Sequence, residues 1–284
     1  MRIEVATFEG DAARVSPQEI VALTVAGFVI GTYATAIGAG GGFLLAPLLL
    51  ILYPDADPAA ITTASLTVVL VSAASSTVVM AKERLVDIPM VLLIAAIAIP
   101  AAILGGLSTS VLPRQAFTLG FGALVGAIGA YLIWRPVAAI APPARNAWRR
   151  ELEDSSGQRY LYRIPILPSI LPNIGAAFIG ALAGIGGGPI GVPIMTRIMR
   201  VPHPIATTSM QALIVLQSSV VVVMHLALSH QGAPMEAVPW LAVGGVIAAP
   251  AGRALRRRLG EGPLTKALAF GLFFIAARTA WGAF

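Results

Sequence analysis

Gly38-Ala39-Gly40-Gly41-Gly42 and Gly184-Ile185-Gly186-Gly187-Gly188 lie 146 positions apart, each inside a long apolar stretch. Pro47 pairs with Pro193 and Pro58 with Pro204 at the same offset, and Thr62-Thr63 pair with Thr207-Thr208 after a slip of one residue. Further on, Pro100 and Pro113 match Pro250 and Pro263 at an offset of 150. One glycine run is a weak signal, but the same order of proline, proline and double threonine after both runs marks an internal duplication. Consecutive glycines make a continuous helix costly, by about 1 kcal/mol each relative to alanine. Each run therefore predicts a broken helix. The apolar segments that follow, Phe43 to Tyr53 and Ile190 to Met199, cover only about half a bilayer at about 1.5 Å per residue.

Around these half-spans lie eight segments apolar enough to cross a membrane: Ile20 to Ile37, Ala59 to Ala81, Ile88 to Leu107, Gln115 to Trp134, Ile166 to Ile185, Ile205 to Leu228, Ala237 to Ala251 and Leu264 to Trp281. The expected organisation is an all-α polytopic membrane protein: a polar tail over 1–16, a first repeat over 17–134, a linker over 135–165 and a second repeat over 166–284. Each repeat contributes about four membrane helices plus one half-span. Ser16-Pro17-Gln18-Glu19 predicts a capped start for the first helix, and Asp57-Pro58 and His203-Pro204 open later ones. The linker, with its charged stretch Arg149 to Asp154, reads as an exposed connector with a short surface helix around Trp148.

Composition agrees. Of 284 residues, 57% are hydrophobic and 11% charged, against about 25% charged in an average protein, which excludes a soluble globule. The absence of cysteine removes disulfides, thiolate metal sites, iron-sulfur clusters and cysteine nucleophiles. His203, His225 and His230 are too scattered for a metal cage, so neither metal nor cofactor is expected. The net charge of +6 comes from arginines in short loops, which points to membrane orientation and away from nucleic acid.

Loop charges then orient the repeats. In the first half the loop after the half-span carries Asp55 and Asp57, the next carries Lys82 and Arg84, and Ser108 to Pro113 is uncharged. Their counterparts carry Arg197 and Arg200, then no lysine or arginine, then Arg253, Arg256, Arg257 and Arg258. The alternation is opposite in the two halves. With the linker cytoplasmic, both termini fall outside and the repeats are inverted.

Small residues at helix contacts give glycine runs one ordinary explanation, close packing. The functional one is an unwound pair of helices at membrane depth, tolerated where it is buried or lines a cavity, with the amino end of each half-span offering N–H groups and a positive dipole end to an anion. On that reading Gly40, Gly41, Gly42, Gly186, Gly187 and Gly188 bind substrate, aided by Thr62, Thr63, Ser65, Thr207, Thr208, Ser209 and Gln211. Any one of these hydroxyls alone would more often bond its own backbone. No carboxylate falls in a membrane centre, so a carboxylate proton relay is not expected. His225 is the one titrating group placed to couple transport to protons. The same helix ends also suit an anion channel. An intramembrane hydrolase using a serine with His225 lacks a serine-glycine elbow and an orienting acid.

At its two glycine runs, with Pro47 and Pro193, the chain resembles the TauE/SafE family of sulfite exporters and sulfonate permeases over both hydrophobic halves. The resemblance implies a multi-pass transporter of the cell inner membrane, not an enzyme, moving small sulfur-containing anions such as sulfite or sulfonates. Oligomeric state and transport direction are left open by it.

Overall fold

The computed structural model describes residues 15–134, 147–228, 230, 232–259, 266 and 269–274. The expected tail and both chain ends lie almost wholly outside these residues, as does most of the span expected over Leu264 to Trp281. The helices of the first half are α1 (Pro17–Ile37), α2 (Gly42–Leu52), α3 (Pro58–Ala81), α4 (Ile88–Thr109) and α5 (Arg114–Trp134). After the linker come α6 (Ile166–Leu182), α7 (Gly188–Pro193), a π-helical turn (Ile194–Ile198), α8 (His203–Ala227), a 3₁₀ turn (Ala233–Glu236) and α9 (Val238–Leu259). Among the described residues α1, α3, α4, α8 and α9 are long and apolar enough to cross a membrane, while α2 and α6 are shorter apolar helices.

Local chemistry sets the boundaries. Ser16 Oγ accepts from Glu19 N–H, and Ser16 N–H donates back to Glu19, closing the capping box of α1. Pro58 opens α3 at its first turn and Pro204 does the same in α8. Both glycine runs interrupt the helix: α1 stops at Ile37 and α6 at Leu182, and left-handed Gly41 (φ 82°) and Gly187 (φ 78°) restart it at α2 and α7.

The linker differs from expectation. In place of a surface helix, β1 (Trp148–Glu153) and β2 (Arg159–Ile164) form an antiparallel hairpin, so the fold is mostly helical and not all-α. Its turn is built by Asp154, whose carboxylate accepts from Ser156 N–H, Ser156 Oγ–H and Gln158 N–H; the Ser156 bond, with these amides, holds that carboxyl below its usual range. The sequence alternates with period two, so Trp148, Arg150, Leu152, Tyr160, Tyr162 and Ile164 turn inward, with Tyr162 and Ile164 buried.

The hairpin is fastened to the membrane body through Asp87, the cap of α4, whose side chain is fully buried. Arg150 grips that carboxylate with two bonds, Nε to Oδ2 at 2.9 Å and NH2 to Oδ1 at 2.6 Å, and lies 4.6 Å from the Trp148 ring centre. Tyr162 donates its hydroxyl to the same group. The bond to Asp87 raises the Arg150 pKa, and burial followed by that hydrogen bond raises the Tyr162 phenol. The turn adds Ser155 N–H to Glu83 O.

Helix α1 packs on α9, α4 on α6, α3 on α8, α9 on α3 and α8 on α4. Glycines permit the first two contacts: an ideal Cβ on Gly27 would stand 2.2 Å from Leu241 O, and one on Gly105 2.1 Å from Phe178 O. Buried polar side chains gather along α3 and α8, whereas Val78, Leu104, Leu171, Val223 and Ile247 are exposed. The body is apolar outside and hydroxyl-rich within, as lipid requires.

The two breaks cross backbone on backbone. A Cβ on Gly42 would lie 2.5 Å from Gly184 O, and one on Gly188 would lie 2.2 Å from Ala39 O. Gly188→Ala and Gly42→Ala are each expected to destabilise the protein by about 3 kcal/mol through overpacking, measured by denaturant unfolding in micelles. Gly175→Ala, where a Cβ meets nothing within 4 Å, is expected to be neutral or stabilising by up to about 1 kcal/mol; equal stability of all three contradicts the crossing. Asp87→Ala, which strands the Arg150 guanidinium, is expected to lose about 3 kcal/mol and to expose the hairpin to trypsin, while an unchanged unfolding curve would show the latch to be inert.

Candidate substrate site

Val69 and Ile214 occupy the midpoints of α3 and α8, helices of 24 and 25 residues. An ideal Cβ on Gly40 would stand 2.9 Å from Ile214 and 3.4 Å from Val69; one on Gly186 would stand 2.9 Å from Val69 and 3.4 Å from Ile214. The runs therefore meet at the middle depth of the two central helices. The threonines approach them reciprocally: Gly38 abuts Thr207, and Gly184 abuts Thr62. Gly40, Gly42, Gly186 and Gly188 meet at this crossing, with Thr62 and Thr207 at its two edges, while Gly41 faces Ala34 and Ile30 of α1 and Gly187 faces Ala176 and Gln217.

The remaining hydroxyls are committed to different partners. Ser65 Oγ donates to Gly184 O at 2.8 Å, inside the second break. Gln211 Nε2 donates to Ala34 O at 3.3 Å, at the C-terminal end of α1, and its Oε1 is buried without a partner among the described residues. Thr208 donates to Leu85 O at 2.7 Å, and Ser209 Oγ accepts from Asp87 N–H at 3.0 Å. Those two residues hold the loop between α3 and α4 and lie away from the crossing. Thr207 accepts from Arg256, whose guanidinium, with that of Arg253, grips Glu83 in the same loop. Thr63 turns toward His225.

Two residues outside the threonine clusters complete the crossing. Gly186, Gln217 and Ser218, with Leu66, Ala102, Ala177, Ala181 and Val221, line a cavity of about 10 Å³, enough for about one water. Ser218 Oγ is buried without a hydrogen-bond partner among the described residues, as is Thr62 Oγ1. An orphaned hydroxyl is unfavourable in an apolar medium, so Ser218 is a donor and acceptor held ready beside the break. Its signal in the sequence was Gln217-Ser218-Ser219, a polar step in an otherwise apolar run.

Chemically, the crossing supplies backbone amides at the starts of the half-helices, hydroxyls and a carboxamide, with the Arg256 guanidinium reaching its edge at Thr207. Helices α3, α4, α6 and α8 contain no aspartate, glutamate, lysine or arginine. Donors of this kind suit the several acceptor oxygens of a small oxyanion. Among the described residues no cluster of three or more histidine or acidic side chains is placed to hold a metal.

Residues 23–279 match the sequence profile of the family described as "Sulfite exporter TauE/SafE". The chain is also similar to the "Probable membrane transporter protein YunE" of Bacillus subtilis (strain 168), with 28% identity over 216 residues, covering 74% of this chain and 79% of that protein. No solved structure matches it. The profile spans both glycine runs, the linker and the central helices, whose lengths and apolar surfaces are those of a multi-pass membrane protein. The chain belongs to the TauE/SafE sulfite exporter family of membrane transporters, and is not an enzyme.

Proposed function

We propose that this protein is a secondary transporter of the cell inner membrane that carries a small sulfur-containing oxyanion, sulfite or an organosulfonate, between alternately exposed faces of the crossing. The observation that carries this reading is the orphaned Ser218 hydroxyl, beside a water-sized cavity lined also by Gly186 and Gln217, among helices α3, α4, α6 and α8 that contain no aspartate, glutamate, lysine or arginine. The substrate sits against Gly40–Gly42 and Gly186–Gly188, with Ser218 and Gln217 joining Thr62, Ser65, Thr207 and Gln211 around it. A cavity of about 10 Å³ is too small for such an anion, so on this reading transport requires the crossing to open.

A two-fold relation between the halves gains support from exchange of partners. Swapping the halves converts the contact of α1 with α9 into that of α6 with α4, and the contact of α3 with α9 into that of α8 with α4. The glycine contacts exchange likewise, Gly38 on Thr207 for Gly184 on Thr62. Positive loops also share one face: Glu83, beside Lys82 and Arg84, meets Arg253 and Arg256 and touches the hairpin turn. We assign that face to the cytoplasm. Binding by neutral donors favours the oxyanion over a cation, which would find no counter-charge.

In proteoliposomes, sulfite or organosulfonate uptake is expected to saturate and to be stimulated by unlabelled anion on the opposite side. Ser218→Ala is expected to raise KM about fivefold, the effect of one lost hydrogen bond of about 1 kcal/mol, with folding retained. Unitary current steps without counter-transport would establish a channel, and absence of flux for every sulfur oxyanion would overturn the reading.

A further inference from the structure

His225 is an ionisable group set within a membrane-spanning helix, α8. Helices α3, α4 and α8 pack together around it, and among their residues its one titratable companion is His203, at the opposite end of α8. The side chain is fully buried. Both ring nitrogens are engaged with the other half of the chain: Nε2 lies 3.1 Å from Gly106 O on α4, and Nδ1 lies 2.9 Å from Thr63 Oγ1 on α3. A carbonyl only accepts, so Nε2 carries a hydrogen in either charge state.

Thr63 Oγ1 also lies 2.6 Å from Ala59 O. Its one hydroxyl hydrogen has two acceptors within reach, and the charge on the imidazole selects between them. With the ring neutral, the hydroxyl donates to the lone pair of Nδ1. When a proton adds to that lone pair, Nδ1–H donates to Thr63 Oγ1 and the hydroxyl turns to Ala59 O. No other covalent bond changes, and loss of the proton reverses the rotation. All three hydrogen bonds are satisfied together only in the protonated state.

We propose that His225 is a proton-binding site that couples proton movement to opening of the glycine crossing, with His230 as its entry. The His230 ring stands edge-on to His225 with centroids 5.6 Å apart, the His230 backbone N–H donates to the His225 backbone carbonyl at 3.0 Å, and His230 is part exposed where His225 is buried. Glu236, which ends the 3₁₀ turn packed on α3, is exposed; α3 and α4 bring no titratable group of their own. The link to the crossing runs through a single turn of α3. Thr63 faces the imidazole, Thr62 abuts Gly184, and Ser65 donates to Gly184 O. A change in what Thr63 donates to is thereby imposed on the turn that clasps the second break.

The role in transport rests on the proposed function, but proton binding does not, and the test separates them. In full-length protein with ring-labelled histidine, the NMR signal lost in His225→Gln is expected to respond to pH scanned from acid to alkaline, to shift in Thr63→Val and to be restored in Thr63→Ser. In proteoliposomes loaded with a pH dye, an organosulfonate is the probe because its own charge is constant over that range. One proton per anion lets a gradient of about two pH units sustain up to about 100-fold accumulation, expected in the wild type and lost in His225→Gln while counter-transport continues. A His225 signal that never titrates, or undiminished gradient-driven accumulation in His225→Gln, overturns the proposal. Wild-type protein that moves no organosulfonate or sulfite overturns the transport reading, and the NMR titration still decides whether His225 binds the proton.

Discussion

Everything at the centre of this protein depends on two peptide backbones touching where side chains would normally keep helices apart. Gly42 lies against Gly184 and Ile185, and Gly188 against Ala39, at distances that exclude even a methyl group. Gly27 and Gly105 allow equally close approach side by side between continuous helices; at the crossing the helices are also broken. The break leaves amide groups at membrane depth, and that is tolerable only inside protein. Helices α3 and α8 provide the enclosure, placing Val69 and Ile214 over the crossing and a row of hydroxyls beside it.

Ionised groups are kept at the ends. On one face, a buried carboxylate at Asp87 and another at Glu83 are matched by Arg150, Arg253 and Arg256, joining the loop between α3 and α4 to the hairpin and to α9. A buried ion pair adds little net stability but is expensive to leave half made. It therefore acts as a latch that fixes which segments share that face. Thr208 and Ser209 hold the same loop from the second half. The interior between the latch and the opposite face has no permanent charge in α3, α4 or α8, which leaves its neutral donors to an anion and makes a protonable imidazole conspicuous.

The broken helices, their half-length successors and the capped start of α1 were legible in the sequence because each follows from local chemistry: consecutive glycines, proline at a first turn, serine three residues before glutamate. The hairpin was not. Its charged residues concealed an alternation in which Trp148, Arg150, Leu152, Tyr160, Tyr162 and Ile164 face inward, and the partner that buries Arg150 is 63 residues away in sequence. The candidate site was legible at its glycines and at Thr62, Ser65, Thr207 and Gln211, which reach the crossing or its edges. Thr63, Thr208 and Ser209 share that spacing, but helix rotation aims them at His225 and at the loop, while Ser218, two turns farther along α8, returns to the break. Position along an apolar helix can be read from spacing; which face meets which partner is decided by tertiary packing.

The central claim is that the crossing is the transport pathway. Because the chain contains no cysteine, Ser218→Cys places one thiol at that point, and its reaction with a membrane-impermeant thiol reagent can be followed from each side of sealed vesicles. The account predicts labelling from both sides, slowed from both by sulfite or an organosulfonate. A thiol that stays unlabelled from both sides in folded, transport-active protein, or whose labelling is indifferent to the transported anion, would contradict it.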